Sequence, residues 1–362
     1  MPTKIVNQLK ESCWDQIDNV DSPFLSYKFF QTLEESHCIE EGTGWNPVYI
    51  SNPQKACLYT FIKEHSYGEY IFDWDWANFY HQFNIPYYPK LTSMIPFTSV
   101  TTPHFVGESS HIIMEAYNKF YEENHFSSSH FLFLTKEELE FFKSYNYIIR
   151  DSFQYHFINK SYTSFENFLE DLIHKKAKQI QKERKLPVTI NQFTGHGLTP
   201  EHGEEMYDFY LATIDNKRAI SYLTKDFFIK IFERLKENIF YVQATKDGES
   251  IAGSLYFFSN DRLYGRYWGS KVNIPNLHFE LCFYQGIEFC IKKGFSVFEA
   301  GAQGEHKISR GFRPVKTYSA HKFKQVDFHE AINKYINNER EDIEVIMRKL
   351  SERLPFNKRA GL

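Results

Sequence analysis

The chain has 362 residues, of which 42% are hydrophobic and 24% are charged. This composition excludes an intrinsically disordered protein, and the length suffices for two or three domains at ~150 residues per domain. The formal net charge of −4 excludes a general attraction to nucleic acid, so any polyanion would have to bind to a local basic patch.

Cysteine usage and the N-terminus bear on the compartment. The five cysteines form no CxxC pair and no spacing typical of a metal site, which fits a reducing environment. The opening stretch MPTKIVNQLKESCWDQID lacks the apolar segment of a signal peptide, and no stretch approaches the ~20 apolar residues that span a bilayer. We therefore expect a cytoplasmic protein with neither a membrane span nor a metal site.

In the first half of the chain, the pattern predicts strands, then a helix, then another strand. Residues 56–61 and 67–76 have the composition of strands, with a turn between them. Apolar residues at helical spacing predict an amphipathic helix over 108–125, and the apolar run at 130–135 predicts a buried strand.

The stretch at residues 164–187 predicts a second helix, with Ser164 near its start and Pro187 just past its end. Four of its lysines step by three, four and three residues, so they form one stripe. The stripe consists of Lys175, Lys178, Lys182 and Lys185. It predicts phosphate binding, from a nucleotide, a coenzyme, a tRNA or a lipid headgroup, and the alternative is a solvated helix face.

The second half repeats the order of the first. Residues 249–270 predict a hairpin, residues 278–294 a helix that ends at Gly294, and residues 295–302 a strand.

A short repeat agrees with this order. The motifs YGEY and YGRY begin at Tyr67 and Tyr264, which are 264 − 67 = 197 residues apart, and each precedes a helix and a strand. We therefore predict two copies of one α/β unit, an N-terminal one in residues 1–155 and a C-terminal one in residues 156–362.

The stretch EAGAQGEHKISRGFRPVKTYSAHKF, residues 299–323, crowds titratable side chains and glycines behind the last predicted strand. Glu299 would end that strand beside a glycine-rich loop, where a carboxylate with a raised pKa accepts a proton from an attacking amine. Two histidines compete for this role, because an imidazole has a suitable pKa. The candidate bases are Glu299, His306 and His321.

The same stretch offers cations for a phosphate or a carboxylate, namely Lys307, Arg310 and Arg313. Its repeated glycines predict a loop whose backbone lies close to a ligand. The alternative is a surface loop whose charges solvate one another.

The strand LYGRYWGS, residues 263–270, is predicted to have two different faces. Alternation places Tyr264, Arg266 and Trp268 on one face and leaves two glycines on the other. This arrangement suits a flat or extended ligand along the backbone. The alternative is an aromatic core strand in which Arg266 pairs with a carboxylate.

The loop at residues 271–278 leads into the next predicted helix, whose free backbone N–H groups face the loop. This suits a phosphate, although the loop lacks a glycine-rich cradle. His278 and Glu280 are then either ligand contacts or residues of the first turn.

Aromatic residues and carboxylates are interleaved in EHSYGEYIFDWDWANFY, residues 64–80. Such a mixture, which includes Trp76, is typical of a wall that binds a sugar or an amine, and a strand would put Asp73 and Asp75 on one face. The predicted substrate-binding residues are His65, Tyr67, Glu69, Asp73, Trp74, Tyr264, Trp268, His278 and Glu280.

Motifs for other chemistries are missing from the sequence: it contains no GxSxG, no Walker loop and no HExxH. Nucleophilic hydrolases and nucleotide hydrolases are therefore disfavoured.

Several longer motifs extend through the whole chain. They are GW at Gly44, HSYGEYIFDW from His65, YYPKL from Tyr87, PFT from Pro96, QIQKER from Gln179, LYGRYWG from Leu263, LHFELCFYQGIEF from Leu277 and EAGAQGEHKISRGF from Glu299. Together they resemble a bacterial family of predicted N-acyltransferases, the FemAB-like or peptidoglycan biosynthesis/recognition proteins.

The resemblance implies tandem GNAT-like units of the α/β class, with mixed, mostly antiparallel sheets flanked by helices. In GNAT-like enzymes an amine attacks a thioester or ester carbonyl directly. This requires a base, a hydrogen-bond donor to the oxyanion and residues that bind the phosphates of the donor. Glu299, the backbone of the GAQG turn and the following arginines match these parts. The implied co-substrate is acyl-CoA, and the implied residues that bind it are Arg266, Gln303, Gly304, Lys307, Arg310 and Arg313.

The chain also departs from the family pattern. Ala177 and Gln181 stand where the basic helix usually carries arginines, and Ser99 and Thr102 stand where proline and glycine are usual. These changes predict weaker phosphate binding or an altered acceptor wall.

The sequence is compatible with three functions. The first is an N-acyltransferase from acyl-CoA to an amine of a small molecule, a peptide or a cell-envelope precursor. The second is a Fem-type aminoacyl transferase that uses tRNA bound along the lysine stripe. The third is a non-catalytic module that binds peptidoglycan or an amino sugar at the wall around Trp74 and Trp76.

Overall fold

The structure is a computed structural model, in which the chain forms two compact units. Unit 1 comprises the chain up to residue 153 and residues 316–345, and unit 2 comprises residues 154–315 and the chain from residue 346. The predicted boundary between residues 155 and 156 stays a prediction. The described residues are 3–16, 21–52, 56–71, 73–107 and 110–357.

Both units contain strands and helices. Among the described residues the strands are β1 (Lys4–Val6), β2 (Trp45–Asn52), β3 (Ala56–Lys63), β4 (Lys90–Ser93), β5 (Phe105–Val106), β6 (Ser128–Leu134), β7 (Ile148–Ile158), β8 (Thr189–Thr194), β9 (Ile239–Lys246), β10 (Glu249–Phe258), β11 (Arg262–Ser270), β12 (Val297–Glu299) and β13 (Arg313–Phe323). The α-helices are α1 (Tyr27–Glu35), α2 (Trp74–Gln82), α3 (Ser110–Glu123), α4 (Leu139–Ser144), α5 (Phe165–Asp171), α6 (His174–Glu183), α7 (Pro200–Lys217), α8 (Lys225–Arg234), α9 (Leu277–Phe279), α10 (Gln285–Lys293) and α11 (Val326–Glu352).

In unit 1 the strands follow the order β1-β2-β3-β4-β6-β13, and β5 pairs with β3. Strands β4 and β6 are parallel, and the other pairs are antiparallel. Helix α3 buries Ile113, Met114 and Tyr117 in the core that β3 and β6 also line. Tyr117 follows Ile113 by four residues and Met114 by three, which places the three side chains on one helix face.

In unit 2 the order is β7-β12-β11-β10-β9-β8. Strands β11 and β12 are parallel, and the remaining pairs are antiparallel. Helix α7 lies so close to β11 that a Cβ atom on Gly269 would be 1.7 Å from the carbonyl oxygen of Phe209. Only glycine permits this approach.

The predicted strand over residues 67–76 is wrong. The segment after β3 bends at Gly68 and Tyr70, whose φ angles are 84° and 58°, and α2 then starts at Trp74 with Asp73 at its N-cap. Trp76 and Tyr80 are four residues apart, so the helix buries both in one core. Asp73 and Asp75 consequently do not share a strand face.

The prediction of one helix over residues 164–187 is also wrong. Ser164 caps α5, as predicted, and its hydroxyl accepts a hydrogen bond from the backbone N–H of Asn167 at 3.1 Å. The helix is interrupted before α6 because the backbone N–H of Ile173 donates to the carbonyl oxygen of Pro355 at 2.8 Å. A distant segment thus takes a backbone group that a continuous helix would use.

The other element predictions are confirmed. Strand β3 covers residues 56–61, α3 lies within 108–125, of which 108 and 109 are outside the described residues, and β6 covers most of 130–135. Strands β10 and β11 form the predicted hairpin.

The predicted helix end at Gly294 is confirmed, with a left-handed φ of 70°. The predicted strand over 295–302 shortens to Val297–Glu299. Among the described helices, none combines the length and the apolar character that crossing a bilayer would need.

Candidate functional site

Glu299 is the last residue of β12 and is 1% exposed. Its carboxylate oxygens accept hydrogen bonds from Arg262 at 3.1 Å and from Arg266 at 3.3 Å. In the sheet it pairs with His156, whose pKa is lowered, chiefly by burial. Both oxygens of Glu299 are therefore bound to guanidinium groups, and its role as a base stays a prediction.

Strand β11 contains a bulge. Leu255 and Tyr256 of β10 pair with Tyr267 and Gly265, which leaves Arg266 as an extra residue. An extra residue reverses the alternation of side chains beyond it.

The predicted common face of Tyr264, Arg266 and Trp268 is therefore wrong. Tyr264 is 3% exposed, and the guanidinium carbon of Arg266 lies 5.2 Å from the centroid of its ring. Trp268 is half-buried and lies on the other face, where its ring centroid is 5.1 Å from that of His278.

Lys307 occupies the 3-10 turn Glu305–Arg310, which follows the glycine-rich loop. It is 3% exposed, and its Nζ donates to the carbonyl oxygen of Gly301 at 2.8 Å. The ring centroids of Tyr155 and Phe283 both lie 5.9 Å from this nitrogen. No ion pair joins Lys307 to a carboxylate in the part of the chain that the structure describes. Burial therefore lowers the pKa of Lys307 to about 7.

Aromatic and imidazole rings adjoin Lys307. We call Trp268, His278, Phe279, Phe283 and His306 the ring cluster. Within it, the centroid of His278 is 5.2 Å from that of Phe283 and 6.2 Å from that of His306.

Both histidines of the ring cluster favour the neutral form. Burial lowers the pKa of His278 to about 4, and His306, Lys307, Lys217 and Arg310 act in the same direction. The pKa of His306 is also lowered, first by its partial burial and then by Lys307 and Arg310.

Arg310 fixes the turn that carries His306 and Lys307. Its guanidinium donates to both carboxylate oxygens of Glu183 at 3.0 and 2.8 Å, to the hydroxyl of Tyr284 at 2.9 Å and to the carbonyl oxygen of His306 at 2.9 Å. All of its nitrogens thus have partners within the protein, and its predicted contact with a donor stays a prediction.

A cleft of about 530 Å³ lies between the end of α6 and the loop before α9. Lys182 and Lys185 of the lysine stripe line it, together with Ile274 and Asn276. Asn276 is the N-cap residue of α9. A helix N-terminus beside two lysines and an apolar wall suits a ligand that has both a phosphate and an apolar part.

The remaining predicted donor-binding residues border the turn. Gln303 is exposed, and Gly304 has a φ of 114°, which L-residues rarely adopt. The guanidinium carbon of Arg313 lies 4.5 Å from the ring centroid of Phe356.

Glu280 begins a π-helical segment, Glu280–Tyr284, that the sequence did not indicate. Its carboxylate is 3% exposed and accepts hydrogen bonds from Arg184 at 3.0 Å and Gln285 at 2.6 Å. Segments of this kind are frequent at functional sites.

His321 lies in unit 1, whereas Glu299 and His306 lie in unit 2. Its Nδ1 is 2.8 Å from Nδ1 of His130, and its Nε2 is 2.7 Å from the hydroxyl of Ser319. Burial lowers the pKa of both imidazoles well below the usual value.

The predicted wall in unit 1 is partly exposed. The rings of His65, Tyr67 and Trp74 form a row with centroid separations of 5.2 and 5.6 Å, and Tyr67 and Trp74 are 42% and 43% exposed. We call these three side chains the aromatic surface. Trp76 is 4% exposed and does not belong to it.

Glu69 and Asp73 are buried rather than part of that surface. Both accept hydrogen bonds from the Nζ of Lys90, at 2.8 and 2.5 Å. Lys90 was not among the predicted residues, and its position in the motif YYPKL gave no sign of its two partners.

The sequence also failed to indicate the lowered pKa of Lys307. A lysine in a polar stretch is expected to be a solvated cation, and only its burial beside Tyr155 and Phe283 changes this. Within the described ranges, no group of three or more His, Cys, Asp or Glu side chains could hold a metal ion.

The model of the FemAB-like family, peptidoglycan biosynthesis/recognition, matches residues 5–358. The chain belongs to this family. The predicted family is thereby confirmed, and membership supports an acyl or aminoacyl transferase of cell-wall biosynthesis without deciding its donor. None of the curated proteins matches the sequence significantly.

Solved structures resemble this FemAB-like protein over most of its length. FemX is 10% identical, with 92% of this chain and 100% of that chain covered and a TM-score of 0.54. The C-terminal domain of a putative lysylphosphatidylglycerol synthetase from Agrobacterium fabrum is 8% identical, with coverages of 84% and 95% and a TM-score of 0.54. A protein of unknown function from Bacteroides thetaiotaomicron is 10% identical, with coverages of 88% and 98% and a TM-score of 0.52.

At these identities the likeness shows the fold alone. The predicted α/β fold class, with mixed, mostly antiparallel sheets and flanking helices, is confirmed.

Proposed function

We propose that this FemAB-like protein transfers an acyl group to an amine, and that the reaction takes place in unit 2 beside Lys307. The main support is the buried amine of Lys307, whose pKa of about 7 suits a group that accepts and returns a proton near neutral pH. The proposed donor is acyl-CoA, and the proposed acceptor is an amine of a small molecule, a peptide or a cell-envelope precursor.

The proposed step is a direct transfer. The nitrogen lone pair of the neutral acceptor forms the N–C bond, and neutral Lys307 takes one proton from that nitrogen. The C–S bond of the thioester breaks, and its electron pair leaves on sulfur. The Lys307 ammonium then gives its proton to the sulfur, so that the products are an amide and a free thiol.

The cleft beside α6 is the proposed site for the phosphate end of the donor. Lys182, Lys185 and the N-terminus of α9 supply cationic and N–H groups there. Both coenzyme A and tRNA carry phosphates, so this feature alone agrees with either carrier. We further propose a cytoplasmic location, where both carriers are made.

The test measures thiol release from acetyl-CoA, with UDP-linked muramyl pentapeptide as the acceptor. The wild-type rate is expected to rise between pH 6 and pH 8 with an apparent pKa close to 7. The pKa of His278 is about 4 and that of His306 is also lowered, so neither produces the same rise.

The variant Lys307→Met is expected to lower the rate by about 10²-fold or more, because general bases contribute 10²- to 10⁴-fold. Lys307→Arg is expected to lower the rate to the same extent, since a guanidinium stays protonated and cannot accept a proton. The matched control is Lys292→Met, at the exposed end of α10. Wild-type rates in Lys307→Met, with an unchanged pH profile, would remove Lys307 from the mechanism.

A second candidate function rests on the aromatic surface of unit 1. Exposed rings in a row are typical of sites that bind the apolar face of a sugar, and this favours recognition of an amino sugar without catalysis. Titration with a disaccharide of N-acetylglucosamine and N-acetylmuramic acid tests it. We expect Trp74→Ala to abolish binding, and equal affinity in the variant would rule the surface out.

A further inference from the structure

The side chain of Arg310 joins three segments of unit 2. It is 4% exposed, and its guanidinium carbon lies 3.5 Å from the ring centroid of Phe279. Its Nη1 donates to the carbonyl oxygen of His306 in the 3-10 turn at 2.9 Å, and its Nη2 donates to Glu183 at the end of α6 at 2.8 Å. Its Nε donates at 2.9 Å to the hydroxyl of Tyr284, the last residue of the π-helical segment.

The side-chain acceptors of Arg310 are also bound to each other. The hydroxyl of Tyr284 donates to the carboxylate of Glu183, and Nε2 of Gln179 donates to the same carboxylate at 2.8 Å. Tyr284 therefore accepts from Arg310 and donates to Glu183, which closes a ring of three hydrogen-bonded side chains. We call Glu183, Tyr284 and Arg310 the clasp. Buried networks whose polar atoms all have partners are rigid.

The two ends of the clasp lie in the two parts of the proposed site. Glu183 lines the cleft together with Lys182 and Lys185, where we place the phosphate end of the donor. Arg310 ends the 3-10 turn and follows Lys307, the proposed base, by three residues. The clasp therefore links the base to the segment that would bind the phosphates.

Few other polar contacts connect this turn to distant parts of unit 2. The backbone hydrogen bonds that close the turn stay within residues 304–312. Over the described residues, the other side-chain hydrogen bond from residues 305–310 to a distant segment joins Glu305 to Arg353, and both side chains are exposed. An exposed ion pair contributes little, so we expect the clasp to keep the turn, and with it Lys307, away from water.

We propose that Glu183, Tyr284 and Arg310 are positioning residues for the transfer, which hold Lys307 in place relative to the phosphate-binding lysines and keep its amine away from water. This inference rests on the proposed function and adds the residues on which its geometry depends. It gives Arg310 a role within the protein instead of a contact with the donor. Such placement matters because a displacement of about 1 Å can cost ~10²-fold in rate.

Other charged and titratable groups face Lys307 from the elements around it. They are Arg266 of β11, Cys282 of the π-helical segment, Tyr155 and His156 of β7, His278 of α9 and His306 of the turn itself. The variants described next leave these groups unchanged. A rise in the pKa of Lys307 would therefore indicate that water enters the turn, because hydration favours the ammonium.

The first test is Arg310→Lys, which keeps the charge but loses the fork of guanidinium donors. The rate of thiol release from acetyl-CoA is expected to fall about tenfold or more. The rise of the rate with pH should move from about 7 towards the ~10.4 of a hydrated lysine. Calorimetric titration should show acetyl-CoA bound within about twofold of the wild-type affinity, because Lys182 and Lys185 remain.

Tyr284→Phe tests the clasp without changing any charge. It removes the hydroxyl that accepts from Arg310 and donates to Glu183. The same changes are expected to a smaller extent, about threefold in rate. This variant provides the test if Arg310→Lys does not fold.

The pKa of Lys307 can also be measured without turnover. In protein isotopically labelled at Cε of its lysines, the NMR signals titrate with pH, and Lys307→Met assigns that of Lys307. The midpoint is expected near 7 in the wild type and at higher pH in Arg310→Lys and Tyr284→Phe.

Arg150→Lys in unit 1 is the matched control. Arg150 donates through Nε and Nη2 to the carboxylate of Glu339, both at 2.7 Å, so its replacement also removes a two-nitrogen contact. We expect a comparable fall in melting temperature with the wild-type rate and pH profile. Equal changes of rate and pH profile in Arg150→Lys and Arg310→Lys would reduce the clasp to a contribution to stability and overturn the proposal.

The outcomes distinguish this inference from the proposed function. If Arg310→Lys and Tyr284→Phe keep the wild-type pH profile and the wild-type titration of Lys307, the positioning role is overturned while the transfer proposal stands. A loss of acetyl-CoA affinity with an unchanged pH profile would make Arg310 a donor contact and would also overturn the inference. If the wild type releases no thiol, or if Lys307→Met retains the wild-type rate, the proposed function fails and the inference fails with it.

Discussion

Lys90 in unit 1 and Lys307 in unit 2 are equally buried but have opposite surroundings. Lys90 is 0% exposed, and its Nζ donates to the carboxylates of Glu69 and Asp73. Lys307 is 3% exposed, and its Nζ donates to the backbone oxygen of Gly301. Burial alone lowers a lysine pKa, and only Lys90 has carboxylates that outweigh it, so its pKa is raised whereas that of Lys307 falls to about 7.

The difference shows that burial does not by itself define the chemistry of a lysine. With two carboxylates the amine is a permanent cation that holds a loop and a strand together. With a single carbonyl partner it titrates near neutral pH and becomes available for proton transfer.

The largest expected effect is on stability. Lys90→Met leaves Glu69 and Asp73 buried without their cation, which should lower the free energy of unfolding by about 3–5 kcal/mol. Lys307→Met removes an amine that has no carboxylate partner, and we expect a loss of less than about 1 kcal/mol or a gain. Urea unfolding at pH 7, followed by circular dichroism, gives both values. Equal losses in the two variants would contradict the comparison.

The two lysines should also give opposite dependences on pH. Because the pKa of Lys307 is about 7 in the folded protein and ~10.4 when unfolded, the unfolded chain binds a proton between these values that the folded chain does not. The free energy of unfolding of the wild type, relative to Lys307→Met, should therefore rise with pH by up to about 1.4 kcal/mol per unit across this window.

The contribution of Lys90 to the free energy of unfolding has the opposite dependence on pH. Its raised pKa means that its stabilisation is complete below the unfolded value of ~10.4 and is lost as the pH rises further. Unfolding measured at several pH values between 7 and 9.5 tests the Lys307 slope. A flat difference between wild type and Lys307→Met would mean that Lys307 is fully charged in the fold.

A smaller effect is expected at acidic pH from His130 and His321. Burial lowers both folded pKa values below the unfolded value of ~6.5, so their contribution is present above that pH and is lost as the pH falls. We expect the wild type to lose about 1–2 kcal/mol more between pH 7 and pH 5 than the variant His130→Asn, His321→Asn. His125→Asn, an exposed histidine, is the control and should behave as the wild type.

The smallest expected effect is on acetyl-CoA binding, and it comes from exposed lysines, which are surrounded by water. Lys182→Gln with Lys185→Gln should weaken acetyl-CoA binding about two- to fivefold, because an exposed charge contributes ~0.2–1 kcal/mol. The matched pair is Lys175→Gln with Lys178→Gln, on the same stripe but not in the lining of the cleft. Equal losses in both pairs would contradict the placement of the donor in the cleft, because only Lys182 and Lys185 line it.

The sequence by itself determined the family, the hairpin of β10 and β11 and the helix end at Gly294. Periodic apolar residues, glycine at a left-handed position and long motifs are local signals, so they can be interpreted without the fold. Local signals failed where a distant segment intervened. The N–H of Ile173 bonds to Pro355 and interrupts the predicted helix, and the bulge at Arg266 separates Tyr264 from Trp268.

Only the tertiary structure decided the charge state of the candidate site. In the sequence, nothing distinguishes Lys307 from another lysine of a basic stretch. Its pKa depends on its burial beside Tyr155 and Phe283 and on the ion pairs that nearby carboxylates form with arginines instead. These groups come from parts of the chain far apart in sequence. Burial and Coulomb interactions depend on distances in space, and this is why the sequence located the polar stretch but could not tell which of its groups has a pKa near neutral pH.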